Sequence, residues 1–442
     1  MKRALSVLLL IAMLSLLFAC GAEGNPSPTA TQEQQTETPE QTPEATTEAD
    51  AADTPAAAAQ TVAVLSDTDG VALTVTSIEA AETDGYTLTL SLTNETQSYQ
   101  LAAVSAIVNG WVGDQRLLMR AEAESETSAQ LYITKDFLDL CEIGEVAEIL
   151  LPFSITNEDF EVLASGTGTI DPNGEEAAET IAAYQHASKK SDTVLLNDEN
   201  AFAVVTKQTS DDPDGYAIRI YIQNKSDRAI KLQLSDTCMN NYVHPEAAYS
   251  SPSIPAGASL MVVREFDADA MELDGIRKVT KIDFNFTLEY DDSAGGELAS
   301  GYKVIYPLGK DAVRNPLHVA VEGETALIDN AYYTVIVTDC DTASNPESYG
   351  IDLYLENNTS HDLDFCVENI EINGIRYWGT TLIARLPAGK RCNTSLAWNK
   401  EALGLSSETP VESITLPLIF YNMRQWKSGT QIYENTFTVQ TW

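Results

Sequence analysis

The sequence predicts an all-β protein built of three tandem β-sandwich domains, and three observations carry that expectation. A ten-residue stretch occurs three times, beginning at Gly85 (GYTLTLSLTN), Gly215 (GYAIRIYIQN) and Ser348 (SYGIDLYLEN). In each copy a Tyr (Tyr86, Tyr216, Tyr349) stands eight residues before an Asn (Asn94, Asn224, Asn357), with apolar and polar residues alternating between them. A period of two marks a strand with one buried face. The copies lie 130 and 133 residues apart, measured from Tyr to Tyr. A repeat of that length with many short strands is a whole sandwich domain rather than a solenoid unit.

Other landmarks keep the same register. Fifteen or sixteen residues after the Asn come Asn109 with Gly110, Asn240 with Asn241, and Asn373 with Gly374. These residue types tolerate positive φ, so each pair reads as a tight hairpin turn. SIPAGAS (Ser253 to Ser259) matches RLPAGKR (Arg385 to Arg391), where the first copy has only ESETS. Short helical segments are expected around Asp136 to Leu140, Asp269 to Leu273 and Asn399 to Leu403. VAEILLPFSI from Val146, VTKIDFNFTL from Val279 and VESITLPLIF from Val411 then supply the first strand of a closing pair.

The chain opens with a separate kind of segment. Lys2 and Arg3 precede an apolar run from Ala4 to Phe18, followed by Ala19 and Cys20. A basic start, a short apolar core and a small residue before the cut form a secretory signal, too short for a spanning helix. Residues 21–60 are Ala, Thr, Pro, Glu and Gln with almost no large apolar side chain, so they cannot repay the entropy of folding and read as a disordered acidic tether. Flexible-coil statistics for such a length give a mean reach of roughly 35 Å. The expected domains are 61–172, 193–309 and 324–442, joined by connectors at 173–192 and 310–323. Glu175 to Lys190, acidic early and basic late as the helix dipole prefers, reads as a connecting helix; Lys310 to Val321 reads as extended.

Composition narrows the partners. A net charge of −40 over 442 residues disfavours nucleic acid and anionic lipid surfaces through Coulomb repulsion. No paired metal-ligand spacing occurs among His186, His244, His318 and His361, so no metal site and no cofactor are expected. Acidic turns at Asp67 to Gly70, Asp211 to Gly215 and Asp291 to Gly296 read as hydrated hairpin tips, with weak calcium binding by converging loops as the alternative; Tyr221 stands where an EF-hand would need its bidentate Glu. Ser300 and Lys303 have the SxxK spacing of a lysine-activated serine, but ASGYKVIYPL around them reads as a strand, on which positions three apart face opposite ways. Five cysteines follow Cys20 and occupy no equivalent repeat positions. Cys340, Cys366 and Cys392 can form one bridge with a thiol left over, or all can be buried small hydrophobes. The sequons at Asn94, Asn224, Asn285, Asn357, Asn358 and Asn393 read as turn residues.

The ending Leu17, Phe18, Ala19, Cys20 resembles the lipobox of bacterial lipoproteins. With the Thr/Pro/Glu tether, the alternating strand ending in Asn and the following Asn-Gly hairpin, the chain resembles the immunoglobulin-like domains of unknown function in surface lipoproteins of Gram-positive bacteria, chiefly Firmicutes. The resemblance implies three tandem immunoglobulin-like β-sandwich domains after a lipoprotein signal and a disordered tether, with Cys20 lipidated and anchoring the chain outside the membrane. It carries over no active site. The expected role is non-enzymatic: binding, adhesion or spacing at the cell envelope, toward a protein or cell-wall glycan. A solute-binding or transport-accessory lipoprotein would need alternating helices and strands, and a cell-wall enzyme a His, Cys or metal constellation.

One compositional asymmetry suggests where binding occurs. Trp378, Trp398, Trp426 and Trp442 all lie in the third copy, the first has only Trp111 and the second has none. Aromatic rings supply rigid contact area at low entropic cost. Arg376, Tyr377 and Trp378, just past the Asn373 turn, form the candidate binding patch; the alternative is that Trp378 fills this copy's core.

Overall fold

The computed structural model describes residues 63–440 apart from 82–84, 173–188, 191, 213–214, 245–247, 315–317, 319, 321, 344, 346, 407–408 and 423–430. Cys20, the tether and most of the expected 175–190 helix lie outside the described residues. The regular structure described is nearly all strand, in several sheets, so the all-β sandwich expectation holds. No described helix is long and apolar enough to cross a membrane.

The first repeat comprises β1 (Ala63–Thr68), β2 (Val71–Ala81), β3 (Gly85–Asn94), β4 (Gln100–Val108), β5 (Trp111–Ala121), β6 (Ser125–Thr134), a helix at Lys135–Leu140, β7 (Ile149–Thr156) and β8 (Val162–Ile170). The second comprises β9 (Thr193–Asn197), β10 (Ala201–Asp212), β11 (Gly215–Asn224), β12 (Ile230–Met239), β13 (Tyr242–Val243), β14 (Tyr249–Ser250), β15 (Ser259–Asp267), a helix at Ala268–Leu273, β16 (Ile282–Tyr290) and β17 (Glu297–Ile305). The third comprises β18 (Thr325–Asp329), β19 (Tyr333–Cys340), β20 (Ser348–Asn357), β21 (Leu363–Glu368), β22 (Glu371–Ile372), β23 (Ile375–Arg376), β24 (Thr380–Leu386), β25 (Arg391–Asn399), β26 (Ser413–Asn422) and β27 (Gln431–Gln440).

Each repeat lays down one sheet in the order β1-β2-β3-β6, β9-β10-β11-β15 or β18-β19-β20-β25. The opposing sheet runs β5-β4-β7-β8 in the first repeat and is built in the later ones on β12-β16-β17 and on β24-β21-β26-β27. The ten-residue stretches are β3, β11 and β20, and their alternation puts Leu88, Leu90 and Leu92, or their Ile and Leu counterparts, into the cores. Their partners pair in one register: Tyr86 lies opposite Ile133, Tyr216 opposite Phe266, and Tyr349 opposite Trp398. The three tyrosines are therefore equivalent.

The Asn that ends each of these strands is a buried plug. Asn224 Nδ2 donates to the carbonyls of Arg228, Ile254 and Pro255 at 2.7, 2.9 and 3.0 Å, while its Oδ1 accepts from Ser226 N and Oγ. Asn357 repeats this with His361, Leu386, Pro387 and Thr359. Asn94 does so with Ser98, Ala121, Glu122 and Thr96, although the first repeat lacks the PAG turn, because backbone carbonyls are what the amide needs. The Asn-x-Ser/Thr triplets here are thus turn-closing devices. Asn285 and Asn393 depart from the turn expectation, for they lie within β16 and β25.

Two helical expectations hold and one is corrected. Lys135–Leu140 is capped by Thr134 and Ala268–Leu273 by Asp267. Asn399 caps Ala402 N in the same way, at 3.0 Å, but the chain from Lys400 makes only one turn before Gly404, at φ 69°, stops it. The expected extended connector at 310 begins instead with a 3₁₀ turn at Lys310–Ala312.

Candidate functional site

The three Asn-led hairpins are type I′ turns, with both central residues at positive φ: 49° and 78° at Asn109 and Gly110, 48° and 74° at Asn240 and Asn241, 51° and 78° at Asn373 and Gly374. The leading Asn also ties the turn to the strand that follows the helical segment. Asn240 Nδ2 donates to Lys278 O at 2.7 Å, and its Oδ1 accepts from Thr280 N and Lys281 N. Asn109 and Asn373 make the corresponding bonds to Glu145, Ala147 and Glu148, and to Pro410, Glu412 and Ser413. Each tip is thus braced by side-chain bonds across the sheet end.

Two of the three tips are occupied by the next repeat. Gly110 O accepts from Ser259 N at 2.8 Å, which joins β5 to β15 in parallel and makes one eight-stranded sheet from two repeats. Asn241 O accepts from Arg391 N at 3.1 Å, which joins β13 to β25 in the same sense and makes a nine-stranded sheet. The residue after each turn is then buried: Trp111, 3% exposed, packs its ring 5.2 Å from that of Tyr221, and Tyr242, also 3% exposed, lies 6.5 Å from Tyr354. Tyr221 and Tyr354 occupy the same place in β11 and β20, on the face turned away from their own cores. The equivalent residue of β3 is Ser91.

The second junction is the more polar. Lys390 Nζ donates to Asp283, which also pairs with Lys281 at 2.8 Å; Asp283 and Lys390 are both buried. Arg391 pairs with Glu356 at 2.9 Å and lies over the Tyr242 ring. Asn393 Nδ2 donates to Asp274 at 2.9 Å, and burial pushes the Asp274 carboxyl up to about 7, against the lowering effect of that bond.

The third tip is the place where the sequence set Arg376, Tyr377 and Trp378. Trp378 is 77% exposed, which rules out the core-filling alternative, and Ile375, the equivalent of Trp111 and Tyr242, is 51% exposed. Arg376 is exposed, pairs with Glu371 at 2.7 Å and lies 5.4 Å from the Trp378 ring. Tyr377 corrects the expectation of a fully exposed patch: it turns inward, half-buried, and its hydroxyl donates to Leu403 O. A phenol against a core gains more by meeting an orphan carbonyl at the 400–404 turn than by facing water. Leu382 on β24, 48% exposed, was not anticipated. Trp398 packs partly against the third core, and Trp426 and Trp442 lie outside the described residues.

The remaining candidates have structural partners. Cys141, Cys238, Cys340, Cys366 and Cys392 are all buried and free, and burial pushes the Cys141 and Cys392 thiols up to about 12, away from reactivity. Ser300 and Lys303 lie on β17, and Ser300 Oγ donates to Glu297 at 2.6 Å. In the 291–296 turn Asp292 takes a two-pronged bond from Arg228, which holds its carboxyl down at about 2. Among the described residues no three His, Cys, Asp or Glu side chains converge.

No family model matches the chain, and no curated protein matches it. Among solved structures the chain is similar to an exo-chitosanase of Amycolatopsis orientalis, at 7% identity over 49% of this chain and 25% of that one with a TM-score of 0.17. It is also similar to red sea bream transglutaminase, at 11% identity over 65% and 37% with a TM-score of 0.16. The chain thus spans between a quarter and two-fifths of those proteins' length, and at such scores they say nothing of its activity.

Proposed function

We propose that this chain is a lipid-tethered, non-enzymatic protein of a Gram-positive cell envelope, in which three immunoglobulin-like sandwiches act as one continuous spacer and present a binding tip. The supporting observation is the repeated junction. One backbone bond from strand start to hairpin carbonyl is used twice, so the repeats share sheets and their cores interpenetrate: Val204 and Tyr221 join the first core, Ile336 and Tyr354 the second. Beads on flexible linkers would not bury residues at their contacts, whereas a spacer gains reach from doing so. The signal-like segment ending in Cys20 and the acidic tether supply the means of attachment and of standing off the membrane.

The test is metabolic labelling with radioactive fatty acid in a Gram-positive host. The wild-type chain should carry label and sediment with membranes. Cys20→Ala should carry none and accumulate as unprocessed precursor; label on that variant, or none on the wild type, would overturn the reading.

A further inference from the structure

We infer that the third repeat's hairpin tip docks onto an aromatic-bearing sheet face of a β-sandwich domain in another polypeptide, in the manner of the chain's two internal junctions. The inference rests on the binding role proposed above and names the partner's chemistry. Its ground is that the molecule shows twice what covers such a tip. At Gly110 and at Asn241 the turn carbonyl takes a strand-start N–H of the next sheet, and the following residue packs on an outward-facing tyrosine of that sheet. Gly374 and Ile375 stand at these same two positions, in a turn of the same type with the same Asn brace, yet both are exposed. The sheet edge beside them, β23 and β24, pairs no further among the described residues and carries Ile375, Trp378 and Leu382. Natural proteins blunt an edge they do not use, and apolar side chains do the opposite.

A second copy of this chain is a poor occupant. The outward tyrosines Tyr221 and Tyr354 are already buried by the chain's own tips. The corresponding face of the first repeat carries Thr74, Ser91, Thr93 and Ser128, Ser91 being buried and donating its Oγ–H to Glu126 at 2.5 Å, and its strand start is flanked by the exposed carboxylates Glu124 and Glu126. That is the polar outer face of a capping repeat. That face offers an apolar tip no aromatic partner, which argues against a second copy of this chain and for a different protein as the occupant.

The experiment places a photoreactive benzoylphenylalanine at position 375 or 378 of the full-length protein in its own envelope, with position 132, an exposed tyrosine of the first repeat, as control. Illumination should yield adducts from 375 and 378 but not from 132, with the crosslinked peptide on a strand of a β-sandwich domain in one other polypeptide. That polypeptide, purified, should bind the full-length chain, and Ile375→Arg and Trp378→Ala should each weaken binding at least tenfold without lowering the melting temperature. Adducts only between copies of this chain, only to glycan or lipid, or none at all would overturn the inference, as would binding indifferent to Ile375→Arg. Fatty-acid labelling of the same cells reads the lipoprotein proposal separately, so a labelled chain without adducts defeats this inference alone.

Discussion

The two junctions use the same backbone bond and opposite side-chain chemistry. Between the first and second repeats Trp111 lies against Tyr221, Val204 and the rings around them, and the Tyr221 hydroxyl meets Ser259 Oγ of its own repeat at 3.0 Å. Between the second and third, the residues matching Ala258 and Ser259 are Lys390 and Arg391, and they bring Asp283, Lys281 and Glu356 into a buried ionic network. The difference teaches that geometry is carried by the main chain, through the type I′ turn and the strand start, while side chains set strength and pH response. An apolar contact tolerates being parted and rejoined without leaving a charge unpaired; a buried ion pair does not.

Four measurements can break or sharpen that comparison. Trp111→Ala should have the largest effect, a loss of about 3–5 kcal/mol, because it removes a buried ring from a contact that cannot collapse from both sides. Urea unfolding followed by circular dichroism reads it, and a loss under 1 kcal/mol would show that the first junction is not a core. Lys390→Met should cost about 3 kcal/mol by leaving Asp283 with Lys281 as its remaining cation. Adding Asp283→Asn should restore part of that loss, since the buried carboxylate is then gone and Lys281, the less buried of its two cations, keeps its bond to Asn241.

The third concerns pH. The Asp274 carboxyl, raised to about 7 in the folded chain from an ordinary value of 3.8, favours the protonated form. Its contribution is therefore most favourable below pH 4, declines as pH rises from 4 to 7, and is level above that. Asp274→Asn should flatten this slope by on the order of 1–2 kcal/mol, solvent reaching part of the side chain. A slope unchanged in the variant would assign the pH response to other groups. The smallest effect is expected from Tyr221→Phe, about 1 kcal/mol for one hydrogen bond to Ser259, with the ring contact kept. A double-mutant cycle with Ser259→Ala should show coupling of that size; independence of the two changes would remove the hydroxyl pair from the account.

Much of the fold was legible because it is local. The ten-residue stretches have the bounds of β3, β11 and β20, since alternation, a helix cap and an Asn turn are decided by neighbours in the chain. The exposed tip was legible in part: Trp378 and Arg376 lie where the tryptophan asymmetry pointed, while Tyr377 turned inward because its partner carbonyl, on Leu403, is twenty-six residues away. The junctions were missed although a signal existed. Tyr221 and Tyr354 stand in the outward lane of strands whose other outward residues are polar or small, and the first copy has Ser91 there. An aromatic residue in a solvent lane is a request for cover.

By itself the sequence determined the strands, the three type I′ tips, the Asn turns that end β3, β11 and β20, and the number of repeats in the pattern, because each is set by backbone preference and by side chains bonding within a few residues, as Asn224 does with Ser226 and Arg228. The longer bonds that make each Asn a plug, such as Asn224 to Ile254 O, belong to the tertiary structure. Only the tertiary structure decided which tips are covered, that Lys390 meets Asp283 across 107 positions, and that the first repeat presents hydroxyls where the others present tyrosines to a neighbour. Those outcomes depend on burying apolar area and matching charges between segments far apart in the chain, and a linear pattern holds no record of that distance.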